Sequence, residues 1–310
     1  MAISEEKLLE WSVQESTDLS SNAYNFIKSH LFELPFVIQH HNYFQAFLQG
    51  SYANATNIKR DSDVDIVLQY SEIFRYDDSN LSEISKREMS GYYGKASLTF
   101  KAYKDTIYKQ LKEALKNHSR VQEIQYKAKS LKIILKNPSI EVDVVPCFLY
   151  KKYVSFSLKN PDSPSHYIEG ISFDNTDNDS RIVNFPKEHI KNGEEKNRRE
   201  RTNGNFKMTV RYIKKIKSLL VDREYIKEKQ FGSYFIENLL YNVPDTCFKN
   251  SCLETFSNVV HVLLTADISK FICQHEQWRL FGQASTQWNI DSAKEFIALL
   301  DKVNKGNINL

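Results

Sequence analysis

"GSYANATNIKRDSDVDIVLQY", residues 50–70, sets the pair Gly50-Ser51 ahead of three aspartates at alternate positions, Asp61, Asp63 and Asp65. From Asp63 onward the run alternates and is β-branched, which predicts a strand. Residues two apart in a strand point to the same side. Asp63 and Asp65 therefore share one face, and Val64, Ile66 and Leu68 share the other. Two carboxylates so close repel, and one takes up a proton unless a cation neutralises them. Oxygen-only donors of this kind suit a hard divalent ion, Mg2+ above all. Asp61 has the same parity but follows Lys59 and Arg60, which fits turn formation or pairing with those bases. A DxD pair alone also fits a turn cap or a solvent-facing edge strand.

A further acid stands in a matching context. "IEVDVVPCFLY" (140–150) flanks Asp143 with Val142, Val144 and Val145, a carboxylate in a strand too apolar to hold it without a partner. If this strand lies beside 63–70, Asp143 completes a cluster of three carboxylates able to hold two metals. Two ions about 3.5–4 Å apart clamp the attacking and leaving oxygens of an in-line phosphoryl displacement. The Gly-Ser pair upstream sharpens the pattern. A Gly-Ser turn lets backbone N–H groups and a hydroxyl come close to a phosphate.

The bulk properties set weaker bounds. The chain has 310 residues, 42 basic against 39 acidic, and a net charge of +3, too small to argue for nucleic-acid binding by bulk electrostatics. No apolar run approaches a membrane span. The start, "MAISEEKLLEWSVQE", lacks the basic and apolar segments of a signal peptide, so a cytoplasmic, membrane-free protein is expected. The four cysteines form no CxxC pair. Cys247, Cys252, His261 and Cys273 could be drawn as a zinc site, but their spacing is irregular and reduced, buried thiols are the better reading.

Along the chain, residues 4–30 read as one long amphipathic helix, 42–50 and 63–70 as strands, and 100–117 as a helix. "SLKIILKN" and 140–150 read as strands parted by the turn signal Asn137-Pro138, and "YIEGISF" as a short strand. The charged run "KEHIKNGEEKNRRERTNG" (187–204) leads into a helix, "NFKMTVRYIKKIKSLL", and helical periods follow to the end. The expected class is α+β: a mixed sheet with flanking helices at 41–186, a helical lobe at 187–310, and an N-terminal segment, 1–40, bracing both.

Gly-Ser, then DxD, then a distant third acid resembles the polymerase-β-like nucleotidyltransferases. The wider set "EVDVVP", "RIVNFPKEHIKNGEEKN", "TNGNFKMTVRYIKKIK", "SYFIENLLYNVP" and "LFGQASTQW" resembles the bacterial CD-NTases, relatives of cyclic GMP-AMP synthase, over about residues 45–300. The resemblance implies an enzyme that condenses NTPs into a cyclic di- or trinucleotide second messenger in anti-phage defence, releasing pyrophosphate. It implies two Mg2+ ions, with Mn2+ as a substitute, on Asp63, Asp65 and Asp143. Gly50 and Ser51 would hold the donor triphosphate, joined by Lys214, with Lys215 and Lys207 as neighbours, and by Ser233. Asn197, with Asn203 as rival, would read a base. The aromatics Tyr52 and Phe185 are stacking candidates. The implied substrates are ATP with UTP or GTP, and a separate effector protein would read the product. No stable nucleic-acid partner is implied, since the chain lacks the zinc-bound insertion of the animal enzymes. The alternatives are a linear nucleotide-adding transferase acting on RNA or protein, and a catalytically dead binding module; the latter conflicts with three intact acids.

Overall fold

The computed structural model describes residues 3–58, 63–284 and 286–310. In chain order, α1 (Glu5–Ser12), α2 (Asp18–Phe32) and α3 (Pro35–Gln39) precede β1 (Phe44–Gln49). The single helix expected over 4–30 is thus two helices. Val13 turns extended and ends α1, and α2 starts anew with Asp18 in its first turn, where an acid suits the helix dipole. A four-residue helix, α4 (Gly50–Ala53), is followed by β2 (Asp63–Asp77), α5 (Glu83–Tyr92), α6 (Phe100–Leu115), β3 (Val121–Tyr126), β4 (Leu131–Leu135), β5 (Ile140–Tyr153), β6 (Tyr167–Asn175) and β7 (Ser180–Asn184). The rest is helical: α7 (Pro186–Asn197), α8 (Asn205–Asp222), α9 (Ser233–Tyr241), α10 (Cys252–Thr265) and α11 (Ile290–Asn304).

These elements form two compact units. One comprises Thr17–Gln49 and the described residues of Ser62–Lys187, and it contains the sheet. The strand path is β1-β2-β5-β4-β3, with β6 added to β5 and β7 to β6. Only β2 and β5 pair in parallel; the remaining pairs are antiparallel, so the sheet is mixed. On one face Val64, Ile66 and Leu68 of β2, Val142 and Val144 of β5, and Leu131 and Ile133 of β4 are buried. Helices α2 and α6 lie against β2 and β5. Tyr103 of α6 is wholly buried, its hydroxyl donating to Leu68 O at 3.0 Å.

The other unit joins three pieces of chain: the described residues of Met1–Ser16, Gly50–Asp61 and Glu188–Leu310. Its core brings together Leu8 of α1, Phe206, Val210 and Ile213 of α8, Phe235 and Leu239 of α9, Phe256 of α10 and Phe296 of α11. The Gly-Ser turn, expected in the sheet-bearing half, therefore belongs with the helices. In the loop that follows it, Asn54, Ala55 and Thr56 bond to side chains of α8 and α9. The charged run at 187–204 forms α7 rather than a loop up to Asn197. Its buried positions are Pro186, His189, Gly193 and Lys196, none of them a large apolar side chain, so hydrophobic periodicity could not reveal it. No helix among the described residues is long and apolar enough to cross a membrane.

Candidate active site

The strand register puts the acids together. Asp65 of β2 lies opposite Asp143 of β5 in the parallel pairing, and Asp63 lies opposite Glu141. Residues directly opposite share a face, and so do residues two apart. Asp63, Asp65, Glu141 and Asp143 therefore stand on the face away from α2 and α6. The antiparallel register of β4 adds Lys132 opposite Asp143, and that of β1 adds Gln49 opposite Asp65. Two residues further along, the same face closes into apolar packing through Val67, Cys147 and Ile171. The acids thus sit where the strands begin, at the open end of that face.

Asp143 is held at both oxygens. Ser130, in the β3–β4 turn, donates its hydroxyl to Oδ1 at 2.6 Å, and Lys132 Nζ stands 3.6 Å from Oδ2. Lys132 is also paired with Glu141. Burial alone would push the Lys132 ammonium down in pKa. Glu141, Asp143 and Asp63 outweigh this and hold it above its ordinary value. Among the described residues no three acidic, histidine or cysteine side chains are gathered closely enough to hold an ion as they stand. The donor set nevertheless fits a hard divalent ion. Three carboxylates occupy one face of two adjacent strands, already drawing a cation, Lys132, to their edge. Asp61 lies outside the described residues.

The Gly-Ser turn has its own support. Gly50 has φ +71°, a conformation open to glycine and costly for residues with a β-carbon. The carbonyl of Gly50 accepts from Asn54 twice, from the backbone N at 3.1 Å and from Nδ2 at 3.0 Å. Asn54 Nδ2 also donates to Glu237 of α9 at 3.1 Å, and Thr56 Oγ1 donates to the other Glu237 oxygen at 2.5 Å. His189 Nε2 completes the set at 2.7 Å. Glu237 is 3% exposed. Burial by itself would raise its pKa, but the hydrogen bond and charge of His189, the charge of Lys214 and the Thr56 hydroxyl hold it below the usual carboxylate range.

The other expected site residues fall in different places. Lys214 is buried on α8 with its Nζ 2.8 Å from Thr56 O, so its ammonium serves the loop after Ser51. Lys207 is also buried and pairs with Glu194. Ser233 is the first residue of α9, half-buried, with Gly232 as the cap. Asn197 ends α7, and its Oδ1 accepts from Lys207 N at 2.9 Å, closing the turn into α8. Asn203, its rival, has φ +50° in that same turn. Phe185 is wholly buried and packs edge-on to Tyr150, which removes it as a stacking platform. All four cysteines are free thiols, and among the described residues no zinc-type cluster exists. Glu237 and His189 escaped the sequence reading. The signal for Glu237 was present, because "SYFIENLLY" sets one carboxylate into an apolar helix as "IEVDVVP" does in a strand.

Comparison with known proteins gives this arrangement a family. The model for the cGAS/DncV-like nucleotidyltransferase C-terminal helical domain matches residues 191–305. The chain is 37% identical over 308 residues to the cyclic nucleotide synthase CdnE01 of Staphylococcus haemolyticus, covering 97% of this chain and 98% of that protein. It is 33% identical over 308 residues to a cyclic UMP-AMP synthase of Rhodothermus marinus, covering 99% of each. The solved structure of Rhodothermus marinus CdnE c-UMP-AMP synthase with Apcpp and Upnpp superposes with a TM-score of 0.81 at 32% identity, covering 98% of this chain and 97% of that one. A mixed sheet bearing paired acids, followed by a helical C-terminal part, defines a nucleotidyltransferase of the polymerase-β-like fold. The chain belongs to the cGAS/DncV-like nucleotidyltransferases, the CD-NTases.

Proposed function

We propose that this chain is a divalent-metal-dependent synthase that condenses NTPs into a cyclic oligonucleotide with release of pyrophosphate. The observation that carries the reading is the register of Asp65 against Asp143 with Asp63 on the same face, in a chain similar over nearly its whole length to cyclic nucleotide synthases. In each step the acceptor hydroxyl oxygen attacks the α-phosphorus of the donor, the bond to the β-phosphate oxygen breaks, and pyrophosphate leaves with that electron pair. A second such step closes the ring. Asp63, Asp65 and Asp143 hold Mg2+, or Mn2+ in its place, and the bound ions supply charge neutralisation and an acidified acceptor hydroxyl. Asp143 takes the hydroxyl proton. Gly50 and Ser51 receive the donor phosphates, with Ser233 at the start of α9 a second contact. ATP with UTP or GTP are the substrates, in keeping with the nucleotides named for relatives. The product serves a separate effector protein in the cytoplasm, in defence against phage.

Incubation with labelled NTPs and Mg2+ or Mn2+, followed by phosphatase, tests this. A small phosphatase-resistant product is expected; label on RNA or protein identifies the linear nucleotide-adding alternative. Asp63→Ala with Asp65→Ala lowers pyrophosphate release about a thousandfold or more with folding intact, since metal-borne stabilisation is worth several kcal/mol. Undiminished release in that variant overturns the site assignment.

A further inference from the structure

A helix of four residues has no stability of its own, because nucleation costs more than one or two hydrogen bonds return. The shape of α4 and of the loop to Thr56 must therefore come from what holds it. Most of its carbonyls are tied down. Gly50 O takes Asn54 N and Nδ2, Ser51 O takes Thr56 N at 2.9 Å, Ala55 O takes Arg211 at 2.7 Å, and Thr56 O takes Lys214. Behind these stands Glu237, which accepts from Asn54, Thr56 and His189 with no exposure to compensate its charge. An ion so buried is held only where partners satisfy it.

The peptide bond turns this clamp into a directional device. The carbonyl of Gly50 and the N–H of Ser51 belong to one planar group and point in opposite directions. Two donors from Asn54 fix the Gly50 oxygen, and so they fix where Ser51 N–H aims. The same holds for Ser51 O, bound to Thr56 N, and the N–H of Tyr52. At Gly50 the positive φ leaves the peptide more freedom than any other residue would, so an external clamp has most effect there.

We propose that Glu237, acting through Asn54 and Thr56, is the positioning residue that aims the Gly50–Ser51 peptide at the donor phosphates, with Lys214 serving the same clamp through Thr56 O. This rests on the reading of Gly50–Ser51 as the donor-phosphate turn. Glu237 reaches phosphate through the loop and is not itself catalytic. Its conversion to alanine would strip three donors of their acceptor and endanger folding, so Asn54→Ala is the informative variant and Glu237→Gln its companion.

The test is a binding cycle on the full chain with non-hydrolysable ATP and UTP analogues and Mg2+, read by calorimetry, beside amide exchange at residues 50–56. Ser51→Ala and Asn54→Ala each weaken binding about fivefold to tenfold, the value of one hydrogen bond. Ser51→Ala removes only the hydroxyl and leaves the N–H that Asn54 aims, so the Asn54 loss persists in the double variant. Asn54→Ala and Glu237→Gln quicken exchange at 50–56, and Ser51→Ala does not. Wild-type affinity in Asn54→Ala beside weakened binding in Ser51→Ala, or unchanged exchange at 50–56 in Asn54→Ala, overturns the positioning role. If neither Ser51→Ala nor Asn54→Ala weakens binding while Asn54→Ala still quickens exchange, the phosphate reading fails and takes the proposal with it, and the exchange data show that the premise was at fault.

Discussion

Asp143 carries two tethers of different kinds, and they make separable contributions. The Ser130 hydroxyl orients Oδ1 by a neutral donor at 2.6 Å, and Lys132 brings a positive charge to Oδ2. Ser130→Ala frees the carboxylate to rotate and lowers turnover about fivefold to tenfold with KM for NTP little changed, since the bond orients a reacting group and touches no substrate. Ser130→Thr keeps the hydroxyl and restores the rate. Lys132→Met removes the cation that offsets three acids, so Mn2+ binding in the absence of nucleotide tightens about tenfold, as expected for one charge at this range in a partly hydrated site. Manganese EPR on the purified variant reads this directly, and unchanged or weaker Mn2+ affinity would show that Lys132 does not compete for the acids. The acids themselves were legible because ionised groups are anomalous in β-branched runs, and pairing β2 with β5 needed only the assumption of adjacency. Lys214 was not legible as a buried clamp. A lysine on a helix gives the same periodicity whether its ammonium meets water, a phosphate or a carbonyl, and only the packing of α8 decides.

The β3–β4 turn that carries Ser130 is itself held from α6. Lys104 is wholly buried there and donates to Lys127 O at 2.5 Å and Ala128 O at 3.0 Å. Burial pushes its ammonium down to about 8, with Asp105 and Asp177 nearby opposing the fall. The folded value lies below the unfolded one, so between pH 8 and about 10.4 the unfolded chain keeps a proton that the folded chain has lost. Stability then rises with pH across this window. Lys104→Met has no such proton, so urea midpoints of wild type minus Lys104→Met grow from pH 8 to about pH 10. A gap that stays constant with pH would remove Lys104 as a strained buried charge. A neutral amine still donates to both carbonyls, so the turn keeps its shape at the upper end. Element by element, the sheet was readable where one face was apolar, as in β2 and β5. Strand β3, "VQEIQY", and helix α7 were missed because their buried faces are polar or thin. The break between α1 and α2 was missed because both halves share an amphipathic period, and only residues 13–17 interrupt the helical geometry.

At the scale of the molecule, the C-terminal helices are not a self-sufficient unit, although the family's domain model covers 191–305 of them. Their unit takes in the described residues of Met1–Ser16 and Gly50–Asp61, and those pieces meet its most demanding polar groups. Arg211 donates to Ser12 O and Ala55 O, Lys214 to Thr56 O, and Glu237 accepts from Asn54 and Thr56. The start of α10 is capped by Glu5, whose carboxylate takes Cys252 N at 2.7 Å and Leu253 N at 2.8 Å. Desolvation opposes that charge, but these backbone donors and Ser251 outweigh it and hold the Glu5 carboxyl below its ordinary range. Its stabilisation is therefore present at neutral pH and lost as pH falls below the usual carboxylate value. A fragment spanning 188–310 loses all of these partners at once. Stranding one buried charge such as Lys214 costs about 3–5 kcal/mol, a large part of the stability of an ordinary domain, about 5–15 kcal/mol. The fragment is expected to show no cooperative urea transition by circular dichroism. Substituting Arg211→Met and Lys214→Met within it removes the two cations whose carbonyl partners are gone, leaves Glu237 with His189, and restores part of the helical signal. A cooperative transition in the unsubstituted fragment, with the midpoint of the full chain, would show that the N-terminal pieces merely decorate a lobe that folds without them.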